Sequence, residues 1–385
     1  MKVLTIGMDR KLFEEGSAVL ERSLAYASKM EELHIIVFSL KKHNLKPKVI
    51  NNLHLYPTNS ISRIIFLWDA YKLGKNIIIQ NKFVRGLSVI SAQDPMSIVG
   101  YALSKKFKLP LQLQIHTDLF SPYFKNSLTN WKNFWYSGWV NILLTKFLIK
   151  RTKGIRVVGQ DIKDLIKKKF PSIKAQIDVL PIYVDVNEII SAIPKRDLQK
   201  EFPQFKFIIL MASRLSPEKR FDVAFKSFKN ILSNFPQAGL IIAGEGNEKG
   251  HLESLVRELG LKDNVVFIGW QNDLVSLYKT ADVFLLTSEY EGYGMTLIEA
   301  GASGCPIVTT KVGVANTGLF KNGENSFVCS VGDVDCLAKS INKLISNNSY
   351  RELFKRSMQD SIKFTLISKE EYTNQYVSLL QKLLK

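Results

Sequence analysis

The sequence predicts an α/β protein made of two doubly wound, parallel-sheet domains. Strand-like apolar runs alternate with helix-like amphipathic segments through both halves of the chain, and this alternation is typical of parallel sheets with helices on both faces. The 385 residues also exceed what one hydrophobic core usually organises. We therefore expect an N-terminal domain over residues 1–190, a C-terminal domain over 191–368 and a final helix over 369–385.

Apolar runs predict the strands of each half. In the first half they are Val3–Ile6, His34–Ser39, Ser88–Ala92, Leu111–His116, Ile155–Val158 and Val179–Tyr183. In the second half they are Phe207–Met211, Leu240–Ala243, Val265–Ile268, Ala281–Leu286 and Ile307–Thr309. Helical periodicity predicts helices near Ala18–Met30, Ile61–Leu73, Pro95–Phe107 and Lys369–Leu384. Pro194 and Pro203 mark the segment Asp185–Phe205 as the linker.

The composition excludes several classes of protein. An apolar fraction of 46% is typical of globular chains rather than disordered ones. The short apolar start Met1–Ile6 runs into charged residues, so we expect no signal peptide. No stretch approaches the roughly 18 uncharged apolar residues that span a bilayer. Cys305, Cys329 and Cys336 match no zinc or redox spacing, so we expect unpaired thiols in a reducing compartment. The five histidines form no paired metal-ligand pattern.

The positive charge is concentrated in the first half. Residues 1–190 carry 29 Lys and Arg against 14 Asp and Glu, whereas residues 191–385 carry 24 against 21. A half this basic suits an anionic partner, either a phosphate-rich membrane surface or a nucleic acid. We expect no nucleic acid, because no helix-turn-helix, zinc-finger or RNA-binding motif is present.

Glu291 and Glu299 are the most informative pair of residues. The predicted strand Ala281–Leu286 precedes Glu291, and a helix predicted to begin near Gly294 carries Glu299 about one turn from its start. The free N–H groups and the dipole of a helix start favour phosphate. A carboxylate deeper in the helix suits neutral hydroxyls such as those of a ribose. The pair therefore indicates a site for a nucleotide attached to a sugar.

The Glu-x7-Glu spacing and the segment that follows it, Ala300-Gly301-Ala302-Ser303-Gly304-Cys305-Pro306-Ile307-Val308, resemble the retaining glycosyltransferases of family 4. The resemblance is strongest from Phe207 to Leu337, and it is weaker but collinear over most of the remaining chain. It implies the GT-B fold, in which two Rossmann-like domains face a central cleft. It also implies that the last helix packs back on the N-terminal, acceptor-binding domain.

The resemblance implies roles for the residues that match. Arg214 and Lys219 would hold the donor diphosphate, where two cations stabilise the charge that develops as the glycosidic bond breaks. Glu291 would contact sugar hydroxyls and Glu299 the ribose diol, because each carboxylate accepts two hydrogen bonds from neighbouring hydroxyls. The expected catalytic residues are His116, Arg214, Lys219 and Glu291, and the expected donor-binding residues are Gly16, Gly244, Gly246, Gly292, Tyr293, Gly294, Met295, Thr296 and Glu299.

Three N-terminal features concern the reacting sugar and the acceptor. His116 ends a predicted strand, and the family often carries a His close to the reacting sugar; the structural alternative is a satisfied core histidine. Asp94-Pro95 ends the preceding strand and could face the acceptor. Many relatives have paired glycines after the first strand, but residues 7–17 contain no adjacent glycines, and Gly16 is the candidate substitute.

Two basic stripes could meet a membrane. The segment from Trp131 to Lys150 combines aromatic and aliphatic residues with lysines, and it is either a buried helix or an interfacial helix whose lysines lie near anionic lipid. Lys163, Lys167, Lys168 and Lys169 form the second stripe. A cytoplasmic enzyme peripheral to the inner face of the cell membrane, acting on a lipid-linked or polysaccharide acceptor, would explain both stripes.

The resulting hypothesis is retaining sugar transfer from a UDP- or GDP-linked donor to an acceptor hydroxyl. It requires no cofactor and no metal, since the cations and the helix dipole neutralise the phosphates. A nucleotide-sugar epimerase, a pyridoxal-dependent glycan phosphorylase and a non-catalytic sugar-nucleotide-binding protein are the alternatives. A glycosidase mechanism is disfavoured, because Glu291 and Glu299 are expected to reach different parts of one ligand.

Overall fold

The computed structural model describes residues 1–93, 97–116, 138–365 and 367–385, except for the side chains of 138–141 and 364–365. The chain divides into two compact units. The N-terminal unit comprises Met1–Pro181 with Ile367–Lys385, and the C-terminal unit comprises Ile182–Leu366. The first unit thus ends at Pro181, whereas the sequence suggests a boundary after residue 190.

An eight-stranded sheet forms the centre of the N-terminal unit. Its strands are β1 Lys2–Gly7, β2 Glu32–Val37, β3 Lys48–Ile50, β4 Leu53–Pro57, β5 Ser88–Gln93, β6 Leu111–Ile115, β7 Gly154–Val157 and β8 Gln176–Val179. The order is β3-β4-β2-β1-β5-β6-β7-β8, and every pair is parallel except β3 with β4. The strand order reverses between β1 and β5, which is where ligands bind in sheets of this kind.

The described helices of this unit are α1 Ala18–Ala27, α2 Phe66–Gln80, α3 Ser97–Phe107, α4 Gly138–Ile149, α5 Gln160–Lys169 and, from the end of the chain, α14 Lys369–Gln381. Short 3-10 turns occur at Arg10–Phe13, Lys41–His43 and Arg63–Ile65. Helix α14 packs against α1, where the rings of Tyr26 and Tyr376 stack at a centroid distance of 4.2 Å.

The C-terminal unit has a six-stranded sheet in the order β11-β10-β9-β12-β13-β14. Its strands are β9 Phe207–Ala212, β10 Ala238–Ala243, β11 Val265–Gly269, β12 Val283–Leu286, β13 Ile307–Thr310 and β14 Phe327–Cys329. All pairs are parallel. Every residue of β9 and β10 is buried, because helices cover both faces of such a sheet.

The described helices of this unit are α6 Val186–Ser191, α7 Leu198–Glu201, α8 Phe221–Leu232, α9 Lys249–Glu258, α10 Leu274–Thr280, α11 Met295–Ala302, α12 Val334–Ser346 and α13 Asn348–Thr365, with 3-10 turns at Pro217–Lys219 and Gly313–Asn316. Helix α8 shows how the core forms. Phe221, Phe225 and Phe228 are spaced for one helix face, and all three are buried.

The fold prediction of two doubly wound, parallel-sheet units is confirmed, but four strands differ from expectation. The sequence did not reveal β3, β4 and β14; β3 and β14 have only three residues, too few to show a periodicity. The strand predicted over Val179–Tyr183 is β8, which ends at Val179. Pro181 explains the difference, since proline has no N–H to donate to a neighbouring strand.

The expectation of three unpaired thiols is wrong for two of them. Cys329 and Cys336 form a disulfide. The chain turns between the end of β14 and the start of α12, and this turn brings the two Cα atoms to 5.9 Å, a normal separation for a disulfide. Cys305 is free and buried, and burial raises the pKa of its thiol. Its position therefore fits a packing role.

The Trp131–Lys150 segment is described only in part, because residues 131–137 lie outside the described ranges. Within α4, Ile142, Thr145 and Leu148 are buried, whereas Leu143 and Phe147 are exposed. The described part thus has one packed face and one exposed face. Among the described residues, no helix has the length and apolar character needed to cross a bilayer.

Candidate functional site

The two loops that carry the predicted donor residues follow adjacent strands. Strands β9 and β12 are neighbours, and the chain order runs outward from them in opposite directions, through β10 and β11 on one side and β13 and β14 on the other. The carboxyl edge of the sheet at these two strands is therefore where a ligand crevice is expected in a sheet of this kind. Met211–Ser213, Lys219 and Phe284–Ser288 line a small cleft at this place.

Lys219 and Glu291 meet at the centre of this site. The Lys219 Nζ donates to Glu291 Oε1 at 2.7 Å, and the Ser288 hydroxyl donates to the same oxygen at 2.7 Å. The side chains of the pair are only 13% and 11% exposed. The structure thus brings together two of the residues that the sequence singled out. The Ser288 contact was not predicted, because a serine in a loop carries no distinctive signal.

Backbone contacts hold the two loops in register. The Thr287 hydroxyl donates to the carbonyl oxygens of Lys219 and Arg220 at 2.9 and 3.1 Å. The Glu289 amide donates to the carbonyl of Glu218 at 2.9 Å. Since Thr287 is fully buried, the main chain on both sides of the Lys219–Glu291 pair is fixed.

Arg214 differs from Lys219 in its freedom to move. Its side chain is 73% exposed, and its Nη2 lies 3.6 Å from Glu218 Oε1. Glu218 is buried and also accepts a hydrogen bond from the Ser216 hydroxyl at 2.7 Å. The exposed guanidinium is therefore less constrained than the largely buried ammonium of Lys219.

Gly244 and Gly246 lie against the backbone of the loop that carries Arg214. The Leu215 amide donates to the Glu245 carbonyl at 2.9 Å, so the two segments touch through their backbones. A Cβ at Gly244 would lie 1.9 Å from the Ser213 carbonyl oxygen, and one at Gly246 would lie 2.1 Å from that of Leu215. These glycines therefore allow the turn after β10 to approach the backbone of the Arg214 loop.

Helix α11 begins at the same edge of the sheet. Gly294 caps it with a φ of 92°, a conformation that glycine adopts without strain. Met295 and Thr296 form its first turn, where helical N–H groups have no intrahelical acceptor. Glu299 follows one turn later and is half-buried. Burial raises the pKa of the neighbouring Tyr278 hydroxyl, and the charge of Glu299 adds to that shift.

Gly313 is a second feature that the sequence did not indicate. Its φ is 50°, and a Cβ there would lie 2.6 Å from the Tyr293 carbonyl oxygen and 2.9 Å from Glu291 Cβ. The Val314 amide donates to that same Tyr293 oxygen at 2.7 Å. The 3-10 turn after β13 thus supports the Glu291–Gly294 loop, which includes Gly292 and the buried Tyr293. The sequence does not indicate this contact, because the two segments are distant in the chain and meet only in the folded protein.

His116 lies in the N-terminal unit, one residue beyond β6. Gln93 Nε2 donates to His116 Nδ1 at 3.0 Å, and His116 Nε2 faces Gln114 Oε1 at 3.3 Å. Burial, then the charges of Arg156 and Arg22, lower the pKa of the imidazole to about 3. The ring is therefore neutral at physiological pH, and Nε2 carries its proton.

The remaining N-terminal predictions concern the acceptor side. Gly16 lies in an exposed turn with a φ of 72°, and nothing lies within 4 Å of a Cβ built there. Asp94, Pro95, Thr117 and Asp118 lie outside the described residues. The part of the chain that the structure describes contains no group of three or more His, Cys, Asp or Glu that could hold a metal ion.

Comparison with known proteins finds similarity to glycosyltransferases. Residues 194–360 match the family model described as glycosyl transferases group 1. The chain is 27% identical over 201 residues to the UDP-Gal:alpha-D-GlcNAc-diphosphoundecaprenol alpha-1,3-galactosyltransferase of Escherichia coli, covering 51% of this chain and 52% of that protein. It is 26% identical over 247 residues to the N-acetyl-alpha-D-glucosaminyl L-malate synthase of Bacillus anthracis, covering 63% of each. The chain thus spans about half to just under two thirds of these relatives.

Solved structures show the same fold over nearly the whole chain. The crystal structure of HepE from Anabaena in complex with UDP and glucose superimposes with a TM-score of 0.76 at 20% identity, covering 99% of this chain and all of that one. Sucrose-phosphate synthase from Thermosynechococcus elongatus gives a TM-score of 0.80 at 16% identity, covering 100% of this chain and 99% of that one. These likenesses establish a GT-B fold, and residues 194–360 are similar to the glycosyl transferases group 1 family.

Proposed function

We propose that this protein is a retaining glycosyltransferase. It moves a sugar from a UDP- or GDP-linked donor to a hydroxyl of a lipid-linked or polysaccharide acceptor in cell-surface glycan biosynthesis. The observation that carries the proposal is the Lys219–Glu291 pair. Its atoms lie 2.7 Å apart, beyond the carboxyl ends of the adjacent strands β9 and β12 and beside the start of α11. A shielded cation, a shielded carboxylate and a helix start together suit a diphosphate attached to a hydroxyl-rich sugar.

The pair suggests how the donor binds. In the described state each charge of Lys219 and Glu291 neutralises the other. An arriving diphosphate carries more negative charge than one carboxylate, so Lys219 turns toward the phosphates. Glu291 then accepts hydrogen bonds from the donor sugar, while Ser288 continues to orient it. Because the diphosphate gains charge as the glycosidic bond breaks, Lys219 and Arg214 stabilise the transition state more than the ground state.

The proposed transfer keeps the anomeric configuration and uses no protein nucleophile. The acceptor hydroxyl attacks from the face that the diphosphate leaves, and a phosphate oxygen takes its proton. The cations and the α11 dipole neutralise the leaving group without a metal. His116 acts as a neutral imidazole rather than as a proton donor, and Glu299 binds the ribose diol.

The acceptor is proposed to reside at the inner face of the cell membrane. The excess of basic residues in the N-terminal half supports this location, because anionic lipids attract such surfaces. The Escherichia coli relative carries diphosphoundecaprenol in its name, and its similarity to this chain supports a lipid-linked acceptor here as well.

The donor site is tested by calorimetric titration with UDP and with GDP. One of the two nucleotides is expected to bind in the micromolar range. Lys219→Ala should weaken binding by about a hundredfold, because it removes a charge-assisted contact and leaves Glu291 buried and unpaired beside the phosphates. The exposed Lys229→Ala on α8 is the matched control and should bind as the wild type does.

Adding Glu291→Gln to Lys219→Ala should recover part of the lost affinity, because the repelling carboxylate is gone. Glu299→Ala should weaken binding of the nucleotide through its ribose. Turnover is then measured with the sugar-linked form of the preferred nucleotide and a membrane extract, and the anomeric configuration of the product is read by NMR. The proposal fails if neither nucleotide binds, if the product is only an epimerised donor, or if the configuration inverts.

A further inference from the structure

Three large apolar side chains at or just before the start of α2 are exposed on the N-terminal unit. Ile61, Ile64 and Trp68, here called the Ile61 cluster, are 82%, 74% and 59% exposed. Ile64 and Trp68 are four residues apart where the 3-10 turn Arg63–Ile65 runs into α2, so they share one helix face. Large apolar side chains grouped on a surface in this way mark an interaction site.

The packing of α2 explains why these residues face solvent. Phe66, Ala70, Gly74 and Ile77 form its buried face. A Cβ at Gly74 would lie 2.5 Å from a methyl carbon of Leu103, which shows how closely α2 approaches α3. The face that continues from Ile64 and Trp68 through Lys72 is therefore directed away from the sheet.

The surroundings of the Ile61 cluster are basic. The Lys72 ammonium lies 5.1 Å from the centre of the Trp68 ring. On the other side, the Lys41 amide donates to the Ser60 carbonyl at 2.9 Å, which places the exposed Lys41 and Lys42 beside the cluster. From residue 40 to residue 86 the chain has nine Lys and Arg, and its one acidic residue is Asp69.

The basic character extends along a layer of helices. Helix α2 contacts α3, and α3 contacts α4. Within these three helices the charged residues are five lysines and one aspartate: Lys72, Lys75, Lys105, Lys106, Lys146 and Asp69. On α4 the exposed Leu143 and Phe147 lie beside Lys146. Right-handed crossovers place α5, with its exposed Lys167 and Lys168, on the same face of the sheet.

We infer that this helix layer docks on a bilayer of anionic phospholipid, with the Ile61 cluster inserted at headgroup depth. Both the apolar side chains and the lysines of this layer suit an anionic bilayer. Trp and Ile favour the boundary between headgroups and acyl chains, and lysines are attracted by the negative surface potential. The inference deepens the proposed membrane location and rests on it, and it assigns insertion to the Ile61 cluster, which lies outside both sequence-predicted stripes.

A single introduced negative charge tests the insertion. Binding of the full chain to vesicles of phosphatidylcholine with 30% phosphatidylglycerol, roughly the anionic content that attracts basic surfaces, is measured by sedimentation. Ile61→Glu should weaken binding at least about tenfold, because a carboxylate replaces an inserted apolar group. Ile193→Glu is the matched control: Ile193 is 84% exposed, and it lies in the C-terminal unit. It should bind as the wild type does.

A second pair of variants tests the attraction between the lysines and the anionic lipid. Lys72→Glu should weaken binding by about fivefold for each of the two charges changed, whereas Lys229→Glu on α8 should have no effect. Binding should also weaken as NaCl rises from 0.1 to 0.5 M, because salt screens exposed charges. Vesicles of phosphatidylcholine alone should bind weakly.

Several outcomes would overturn the inference. They are no binding of the wild type to anionic vesicles, equal binding to neutral ones, or equal loss in Ile61→Glu and Ile193→Glu. UDP and GDP affinity is measured for every variant. Unchanged nucleotide binding with lost vesicle binding separates this surface from the donor site. Vesicle binding without any nucleotide binding would instead count against the proposed glycosyl transfer alone.

Discussion

The neutral state of His116 limits the chemical roles that its imidazole can have. Because the pKa of the imidazole is lowered to about 3, the ring does not act as a general acid near pH 7. Gln93 donates to Nδ1, so the proton resides on Nε2. The Nε2–H faces Gln114 Oε1, so the imidazole is held as a neutral hydrogen-bonding group rather than as a group that transfers a proton.

The lowered pKa predicts a pH-dependent stability. An unfolded His has a pKa near 6.5, so below that pH the unfolded chain binds a proton that the folded chain does not. The stabilisation is complete above pH 6.5 and is lost progressively as the pH falls toward 3. Relative to His116→Gln, the wild type should lose about 2 kcal/mol of unfolding free energy between pH 7 and pH 5.

Urea unfolding of both proteins at the two pH values measures this difference. Asn or Gln at position 116 keeps a polar group near Gln93 and Gln114 but cannot titrate. If the gap between wild type and variant stays constant from pH 7 to pH 5, His116 is either protonated in the folded state or solvated.

At the scale of elements, the donor site depends on two loops that touch through their backbones. The turn after β10 contains Gly246, and the Leu215 carbonyl would lie 2.1 Å from a Cβ added there. Gly250, four residues further on, lies in α9 with nothing within 4 Å of such a Cβ. Alanine substitution at each of the two positions therefore distinguishes the cost of disturbing the close backbone contact from the general effect of replacing a glycine.

Gly246→Ala should lower the unfolding free energy of the C-terminal unit by about 1–3 kcal/mol, because the loop must move to accept the methyl group. The shift would also carry Arg214 and Lys219 out of position and weaken nucleotide binding. Gly250→Ala should be neutral or stabilise by about 0.5–1 kcal/mol, since alanine favours helix. Thermal unfolding and calorimetry measure both effects; equal behaviour of the two variants would show that the loops do not need this contact.

At the scale of the whole molecule, the two ends of the N-terminal unit are joined through one buried cation. Arg156 of β7 is 4% exposed. It donates to the carbonyl oxygens of Leu180 and Pro181, to Gln114 Oε1 and to the Tyr372 hydroxyl, at distances from 2.7 to 3.2 Å. Tyr372 belongs to α14, so residues far apart in the chain share one hydrogen-bonding group.

Arg156→Met should release α14, because it removes four hydrogen bonds from a charged donor, including the one to Tyr372, and hydrogen bonds to charged groups contribute about 1.5–3 kcal/mol each. Amide hydrogen exchange of peptides from α14 and β7 should accelerate by about a hundredfold. Arg85→Met, at an exposed turn of the same unit, should leave exchange unchanged. Exchange that stays slow in Arg156→Met would show that the stacking of Tyr26 on Tyr376 holds α14 without the arginine.

The sequence alone predicted the fold class, which is confirmed, and it proposed the charged residues of the candidate site. Alternating apolar runs predicted most of the strands, because burial on both faces of a parallel sheet demands continuous apolar segments such as Phe207–Ala212. Glu291 and Glu299 were predicted as a pair from their positions between a strand and a helix start, whereas Lys219 was predicted from the family resemblance; the binding roles of all three stay predictions. Such local spacing is preserved in the chain and can be counted.

Tertiary structure decided which of those residues meet and what holds them. Ser288 and Gly313 gain their roles only because segments distant in the chain approach within hydrogen-bond or van der Waals distance. The pairing of Cys329 with Cys336 depends on a turn whose path the sequence does not reveal. Likewise, Ile61, Ile64 and Trp68 form an exposed cluster because packing of α2 on α3 uses the opposite helix face. Contacts, burial and pKa values are properties of neighbours in space, and for this chain only the folded arrangement specified those neighbours.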